Sequence, residues 1–353
     1  VSPVPQAQLL WRNPILNFAG PSSQDLMNAW AVRRVEHDTG RSLNVPTQTG
    51  RALLASEHFN LKGDILLKGT GLNSEQSSVE SVGKIRYEVA TKTAKIGDGM
   101  FTVRESFADM LNSETLRNAG VVVAKPIAIF STGDRHSSSD AALGIYVREF
   151  LVQTRLSNLE VMSDEDVRTA LDEAAEKLFR AGHTDRKLNR VELYFFLMKR
   201  MAHNVAILQK QSYRHNYLHS QQVTLAGELV DLGTGTWLDG YRQDSYGRPE
   251  SLSYMSFENQ PLLIQNMFVR SHSLTAEGGP VRLAAGSSTL KTQNHSLLGL
   301  YRRVDPQAAS EIERSDPENL FWDFYRSAEK GTLSPTKMRA RDYSPSFSAF
   351  AAR

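Results

Sequence analysis

His215-Asn216-Tyr217-Leu218-His219-Ser220-Gln221-Gln222, followed nine residues after Gln222 by Asp231-Leu232-Gly233, is the stretch on which the reading of this chain turns. A turn and a cluster of polar side chains lead into an apolar hairpin, and the hairpin ends on Asp-x-Gly. Such a layout brings an amide and a carboxylate to the two ends of one hairpin. A carboxylate at Asp231 suits magnesium, which takes oxygen ligands. The two histidines at i and i+4 also allow a zinc reading, but no third ligand is evident and the segment is not a clear helix.

Working back toward the N-terminus, Ile65-Leu66-Leu67 ends in Lys68-Gly69-Thr70-Gly71, which reads as a strand entering a glycine turn. Glycines let backbone N–H groups approach a phosphate, and a lysine at a strand end can bind it as a point charge. The same four residues also read as an ordinary turn. Polar residues fill 73–81 as a loop, Lys84 to Val89 is a further strand, and 95–100 is a turn. Phe101 to Ala119 reads as a helix stopped by Gly120, with acids at Glu105, Asp109 and Glu114, any of which could orient the lysine or face solvent. Val121 to Phe130 and Leu143 to Leu151 read as strands around a 131–139 loop. Arg148 and Arg155 stand seven residues apart, a pair able to grip a terminal phosphate or to form ion pairs.

After Ser163 the pattern turns helical. Ser163 to Asp166 has the form of a capping box. Helices follow to about Arg180, over Glu192 to Gln211, and around Leu262 to Val269, Ser296 to Arg303 and Asn319 to Ala328. Four segments are expected: an arm over 1–45 with one helix near Ser23 to Val35, a strand-rich region over 46–162, a helical region over 163–332, and a flexible tail over 333–353. The fold class expected is α+β, a two-lobed protein-kinase-like fold: a strand-rich N-lobe with one main helix, then a mostly helical C-lobe.

Composition bounds the function. The 353 residues include no cysteine, which removes disulfides, thiolate zinc sites, iron–sulfur clusters and a cysteine nucleophile. A net charge of +2 gives no reason to expect a nucleic-acid or membrane-surface binder. No run of about 20 apolar residues offers a membrane span. The first residues do not read as a signal peptide, so a cytoplasmic location is expected by elimination.

These ordered motifs resemble the selenoprotein-O (YdiU) family of pseudokinase-fold protein adenylyltransferases, over about Ile65 to Asp231. Leu66-Leu67-Lys68-Gly69-Thr70-Gly71 is similar to the family's Leu-Lys-Gly-Ala-Gly segment, and Ile96-Gly97-Asp98-Gly99 to its Met-Gly-Asp-Gly turn. Arg104 to Glu114 follows its Arg-Ser-Ser-Ile-Arg-Glu-Phe-Leu-Cys-Ser-Glu, and Arg148 and Arg155 keep its arginine spacing. His215 and Asp231 fall where its His-Gly-Val-Met-Asn-Thr-Asp-Asn and Asp-Tyr-Gly segments place them.

The resemblance implies Mg-ATP as cofactor and transfer of AMP to a hydroxyl of a protein or peptide substrate. Lys68, Gly69 and Gly71 would bind phosphate, with Asp109 as the lysine's helix partner. Arg148 and Arg155 would grip the terminal phosphate, and Asp231 with Gln222 would hold Mg²⁺. Lys68, Asp109 and Asp231 would be the catalytic set. The departures are as informative. Asp109 replaces Glu, and Gln221-Gln222 replaces the family's Asp-Asn pair. An amide has no pKa with which to act as a base. Aminoglycoside-type kinases, whose loop reads His-Gly-Asp-Leu-His-x-x-Asn, share the spacing of His215, Leu218, His219 and Gln222, with Tyr217 where their catalytic Asp belongs. Two further readings follow: a catalytically degenerate pseudokinase that binds a partner protein through the 1–45 arm or the tail, and a divergent kinase activating a carboxylate or hydroxyl.

Overall fold

The computed structural model describes residues 2–14, 21–33, 52–54, 59, 61–70, 101–135, 140–160, 162–216, 218–238, 258–269 and 296–331. The strands expected over Lys84 to Val89, the loop over 73–81, the turn over 95–100 and the tail over 333–353 lie outside these residues, as does Gly71. In chain order the strands are β1 (Ser2–Pro3), β2 (Gln8–Arg12), β3 (Val32–Arg33), β4 (Ala52–Leu54), β5 (Asp64–Lys68), β6 (Phe101–Thr102), β7 (Lys125–Arg135), β8 (Ala142–Phe150), β9 (Tyr213–Arg214) and β10 (Thr236–Trp237). The helices are α1 (Ser23–Trp30), α2 (Val103–Asn118), α3 (Asp164–Arg180), α4 (Arg190–Lys210), α5 (Gln260–Phe268), α6 (Leu297–Val304), α7 (Pro306–Arg314) and α8 (Pro317–Glu329). The architecture is thus mixed, with one larger antiparallel sheet and eight α-helices among the described residues. None of those helices is long and apolar enough to cross a membrane.

The chain divides into two compact units: Val1–Thr115 with Ala124–Gln153, and Leu116–Val123 with Thr154–Arg353. The first is built on the sheet β2-β7-β8-β5-β4, with β6 also pairing to β8, all antiparallel. Alternation along β5 and β8 sends Ile65, Leu67, Ile145 and Val147 to one face, where they pack with Leu26 and Trp30 of α1. Tyr146 points to the other face and packs with Phe101, Ile129 and Met110 of α2. The N-terminal stretch expected as an arm therefore contributes an edge strand and a packed helix to this unit. Its helix starts properly because Ser22 and Asp25 form a reciprocal capping box. Residues 131–135, expected in a loop, extend β7 instead.

The second unit is organised around α4, which is buried over most of its length. Asn189 and Glu192 cap its start reciprocally. Helices α3, α5, α7 and α8 pack against it. Tyr194 meets Phe195, Phe268 and Tyr301 edge-on, and its hydroxyl donates to the Phe268 carbonyl at 3.1 Å. Arg190 pairs with Asp172 at 2.8 Å and with Asp305 at 3.0 Å, tying the start of α4 to α3 and to the α6–α7 junction. Ser163 caps α3 as its sequence implies, accepting from the Asp166 N–H.

Candidate functional site

The first unit gathers Lys68, Asp109, Tyr146 and Arg148. Register explains the grouping: Lys68 lies opposite Tyr146, and Leu66 opposite Arg148, on the β5–β8 ladder. Residues two apart on β8 share a face, so Tyr146 and Arg148 both point toward the side that α2 covers. Lys68 is buried and its ammonium sits 4.3 Å from the centre of the Phe101 ring, which stacks on Tyr146. Asp109, buried on α2, accepts from Ser113 Oγ at 3.2 Å through Oδ1 and presents Oδ2 to Arg148 at 3.8 Å. The Arg148 guanidinium lies over both the Tyr146 and Phe150 rings, at 5.4 and 5.2 Å.

Lys68 and Asp109 therefore lie in a packed cluster, and the ion pair found for Asp109 is with Arg148. The Arg148 side chain is 1% exposed, so a ligand would reach it only through rearrangement. The Tyr146 hydroxyl lies near Ser113 and Asp109, and burial followed by the Asp109 charge pushes its pKa well above the usual phenol range. Gly69 has a positive φ of 94°, and a Cβ there would come within 2.5 Å of the Gly144 carbonyl and 2.8 Å of Phe101 Cβ. Packing inside the sheet is reason enough for this glycine. Thr70, next to it, is buried with its hydroxyl lacking a hydrogen-bond partner.

The second unit gathers Arg155, His219, Gln221, Gln222 and Asp231. His219 caps a short 3-10 turn over Ser220–Gln222. The chain then forms a hairpin held by Val230 N–H to the Gln222 carbonyl at 3.1 Å and Thr224 N–H to the Glu228 carbonyl at 3.1 Å. Gln222 and Asp231 thus sit at its two ends. Asp231 has left-handed backbone (φ 58°, ψ 40°), a conformation that Asp tolerates better than most residues. The Thr234 hydroxyl donates back to its carbonyl, and Tyr213 donates to the Leu232 carbonyl beside it.

Arg155 closes the mouth of the hairpin. Its Nη1 donates to the Gln221 carbonyl at 2.7 Å and lies 3.5 Å from Asp231 Oδ2. Its backbone is fixed by a bridge to Thr224 and by the flanking Leu156 N–H to Val223 and Leu225 N–H to Thr154 bonds. Asp231 keeps 17% of its side chain exposed, and Gln222 is buried with Oε1 lacking a hydrogen-bond partner. A buried amide oxygen without a donor is costly, and it is of the type that could serve as an oxygen ligand. Gln221, in contrast, is exposed.

The histidines have defined jobs. His215 Nε2 donates to the Val230 carbonyl at 2.9 Å in the interior. His219 Nδ1 accepts from the Gln221 N–H at 3.3 Å. Burial, then the charges of His215 and Arg155, push the His219 pKa down to about 4, so the ring is neutral at neutral pH. Among the described residues no group of three His, Cys, Asp or Glu side chains forms a metal cluster.

Two residues that the sequence did not announce hold this hairpin in place. Asn204 of α4 accepts from the Val122 N–H at 2.8 Å and donates to the Gly227 carbonyl at 3.0 Å. Arg200, one turn earlier, donates to the Ala226 carbonyl at 2.6 Å, and its stem packs where a side chain at Gly227 would be. Their signal is polarity at inward positions of an otherwise apolar helix.

Comparisons place the chain among known proteins. A sequence model described as "Protein adenylyltransferase SelO" matches residues 89–276. Proteins named "Protein nucleotidyltransferase YdiU" are similar at modest identity. That of Clostridium botulinum (strain 657 / Type Ba4) is 25% identical over 233 residues, covering 60% of this chain and 41% of its own length. That of Halalkalibacterium halodurans is 22% identical over 221 residues, covering 60% and 41%. That of Corynebacterium glutamicum (strain R) is 23% identical over 228 residues, covering 61% and 44%. The chain thus spans about two fifths of the length of these relatives. Among solved structures, "WaaP in complex with acyl carrier protein" aligns at 15% identity with a TM-score of 0.31, over 92% of this chain and 98% of that one. With the family model covering more than half of its residues, the chain belongs to the SelO family of protein adenylyltransferases.

Proposed function

We propose that the chain binds Mg-ATP and transfers AMP to a hydroxyl of a protein or peptide substrate, within a kinase-like fold of two lobes. The observation that carries this is the hairpin of the second unit. It brings a carboxylate and an orphaned amide oxygen to its two ends, an all-oxygen donor pair of the kind magnesium takes. Asp231 and Gln222 would hold the ion and Arg155 would take phosphate oxygens; Lys68, Gly69 and Arg148, packed within the first unit, would meet a phosphate only after rearrangement. Asp109 would act through Arg148, fixing the guanidinium from behind. Mg-ATP, when bound, supplies the activated α-phosphoryl group and its leaving pyrophosphate.

The chain's own contribution is positioning and charge. Phosphoryl chemistry draws most of its acceleration from these. No carboxylate stands at Gln221, so the acceptor hydroxyl receives no base from that position. His219 does not replace it: with Nδ1 accepting from a backbone N–H, the proton of the neutral ring is on Nε2, which makes that nitrogen a donor. A substrate group that is already ionised, such as a carboxylate, would relieve this need. A second reading rests on the same exposed amide at Gln221. It takes the chain as a nucleotide-binding pseudoenzyme that serves a partner protein.

The test is calorimetric titration of ATP with and without Mg²⁺ into the intact chain and into Asp231→Asn. Magnesium-dependent binding that disappears in the variant supports the reading. Transfer of label from α-labelled ATP, and not from γ-labelled ATP, to a protein acceptor then separates adenylyl transfer from phosphotransfer. Binding without transfer leaves the pseudoenzyme reading, and no binding at millimolar ATP removes both.

A further inference from the structure

We infer that Arg155 is a resident counter-ion of the Asp231 carboxylate that makes the second-unit cluster refuse a bare divalent cation and accept one only together with phosphate. The inference rests on the Mg-ATP reading above and adds a rule for selectivity at the same site.

Three observations carry it. The guanidinium and the carboxylate approach to 3.5 Å with side chains only 5% and 17% exposed, so solvent screens the pair weakly. The guanidinium is not a loose surface group, because the same Nη1 donates at 2.7 Å to the Gln221 carbonyl and the Arg155 backbone is bridged into the hairpin through Thr224. It therefore cannot swing far without loosening the hairpin itself. Lastly, the amide oxygen of Gln222, at the other end of the hairpin, is buried and lacks a hydrogen-bond partner.

A doubly charged cation arriving alone at Asp231 would sit beside a fixed positive charge and would have to break the ion pair. A cation arriving with a polyphosphate brings negative oxygens that the guanidinium can take in place of the carboxylate. Arginine suits that exchange, since its planar fork binds carboxylate and phosphate in the same geometry. The pair thus couples the two ligands: each lowers the cost of binding the other.

The experiment uses the full chain and Mn²⁺ alone as probe, followed by electron paramagnetic resonance of the free ion without nucleotide. The wild-type chain is expected to bind bare Mn²⁺ weakly. Arg155→Gln and Arg155→Met, which remove the charge and keep much of the stem, should bind it roughly tenfold or more tightly, a step within the usual range of coupling between sites. Arg155→Lys keeps the charge and should behave like the wild type. Adding Asp231→Asn to either neutral variant should abolish the gain. Circular dichroism on each variant confirms the fold, and either neutral variant alone suffices.

Neutral variants that bind bare Mn²⁺ no better than wild type would overturn the inference while leaving the Mg-ATP reading intact. Magnesium-dependent ATP binding that survives Asp231→Asn would overturn the reading itself. Tight binding of bare Mn²⁺ by the wild type, lost in Asp231→Asn, would overturn the inference alone.

Discussion

In the first unit Asp109 faces Arg148 at 3.8 Å with both side chains essentially sealed from solvent, at 2% and 1% exposure. In the second, Asp231 faces Arg155 at 3.5 Å, with the carboxylate partly open at 17%. The residue types are the same and the supports differ. Arg148 is wedged between aromatic rings, and Asp109 is buried under α2 with Ser113 as its neighbour. Arg155 and Asp231 hang on backbone hydrogen bonds of a hairpin and keep an opening. A buried pair contributes little net stability when intact but is expensive to break. An open pair can exchange partners at low cost. The first cluster therefore reads as the part that fixes geometry, and the second as the part that responds to ligand.

The largest effect should come from breaking the sealed pair from one side. Asp109→Ala leaves the Arg148 charge in the interior without that carboxylate, at an expected cost of about 3–5 kcal/mol in a urea titration. Replacing both partners, Asp109→Leu with Arg148→Met, should restore most of this. A single variant that costs under about 1 kcal/mol would show that the cluster is more hydrated than its burial suggests, and the contrast between the units would weaken.

Next in size is the brace behind the open pair. Asn204→Ala strips a buried acceptor from the Val122 N–H and a donor from the Gly227 carbonyl. The expected loss is about 2–4 kcal/mol, from two backbone groups left unsatisfied. Because the hairpin carries both Gln222 and Asp231, magnesium-dependent ATP affinity should fall with it. Asn204→Asp can still accept from Val122 but sets a buried carboxylate against the Gly227 carbonyl, so it should be no more stable than Asn204→Ala.

Acid should separate the units as well. No histidine lies among the described residues of the first unit, whereas His183, His203 and His219 of the second are all held below the usual imidazole pKa, mainly by burial. For His183 and His219 the folded value is about 4 against 6.5 for the free side chain. Between those values the unfolded chain binds more protons, so stability falls as pH drops from about 6.5 toward 4. Urea midpoints at pH 7 and pH 5, followed by tryptophan fluorescence of a variant keeping only Trp30 and of one keeping only Trp322, should fall more for the second unit. Equal loss in both would place the acid sensitivity elsewhere.

Much of this was legible in the chain, and what was not has common causes. The capping residue Ser163 acts through a neighbour three positions on, so local spacing suffices to place the start of α3, whereas α4 begins at Arg190 behind the Asn189 cap, two residues before the Glu192 at which the sequence reading starts it. The hairpin ending on Asp231 was legible for the same reason, being closed by contacts within a dozen residues. The partner of Asp109 was not, because it stands 39 residues further along the chain on a strand whose register only the folded sheet fixes. Gln8–Arg12 reads as part of a Pro-rich arm, and its strand character depends on the exposed edge of β7, more than a hundred residues away. Gly69 points to phosphate in the sequence and to close packing against Gly144 in the sheet, and local pattern does not distinguish the two.

The smallest change in stability, and the sharpest test of the contrast, belongs to Asp231→Asn. Asparagine accepts left-handed backbone as readily as aspartate, so the φ of 58° adds no new strain. The side chain keeps its shape, and Arg155 keeps its bond to the Gln221 carbonyl. What disappears is one charge, and the guanidinium it faced keeps the Gln221 carbonyl and gains the asparagine oxygen as neutral acceptors. The expected change in unfolding free energy is therefore within about 1 kcal/mol, while magnesium-dependent ATP binding is lost. Asp109→Asn, the same chemical change in the sealed pair, should show a large stability loss. If Asp231→Asn proves as destabilising as Asp109→Asn, then the second pair is a structural pair too, and the ligand-responsive part of the molecule lies elsewhere.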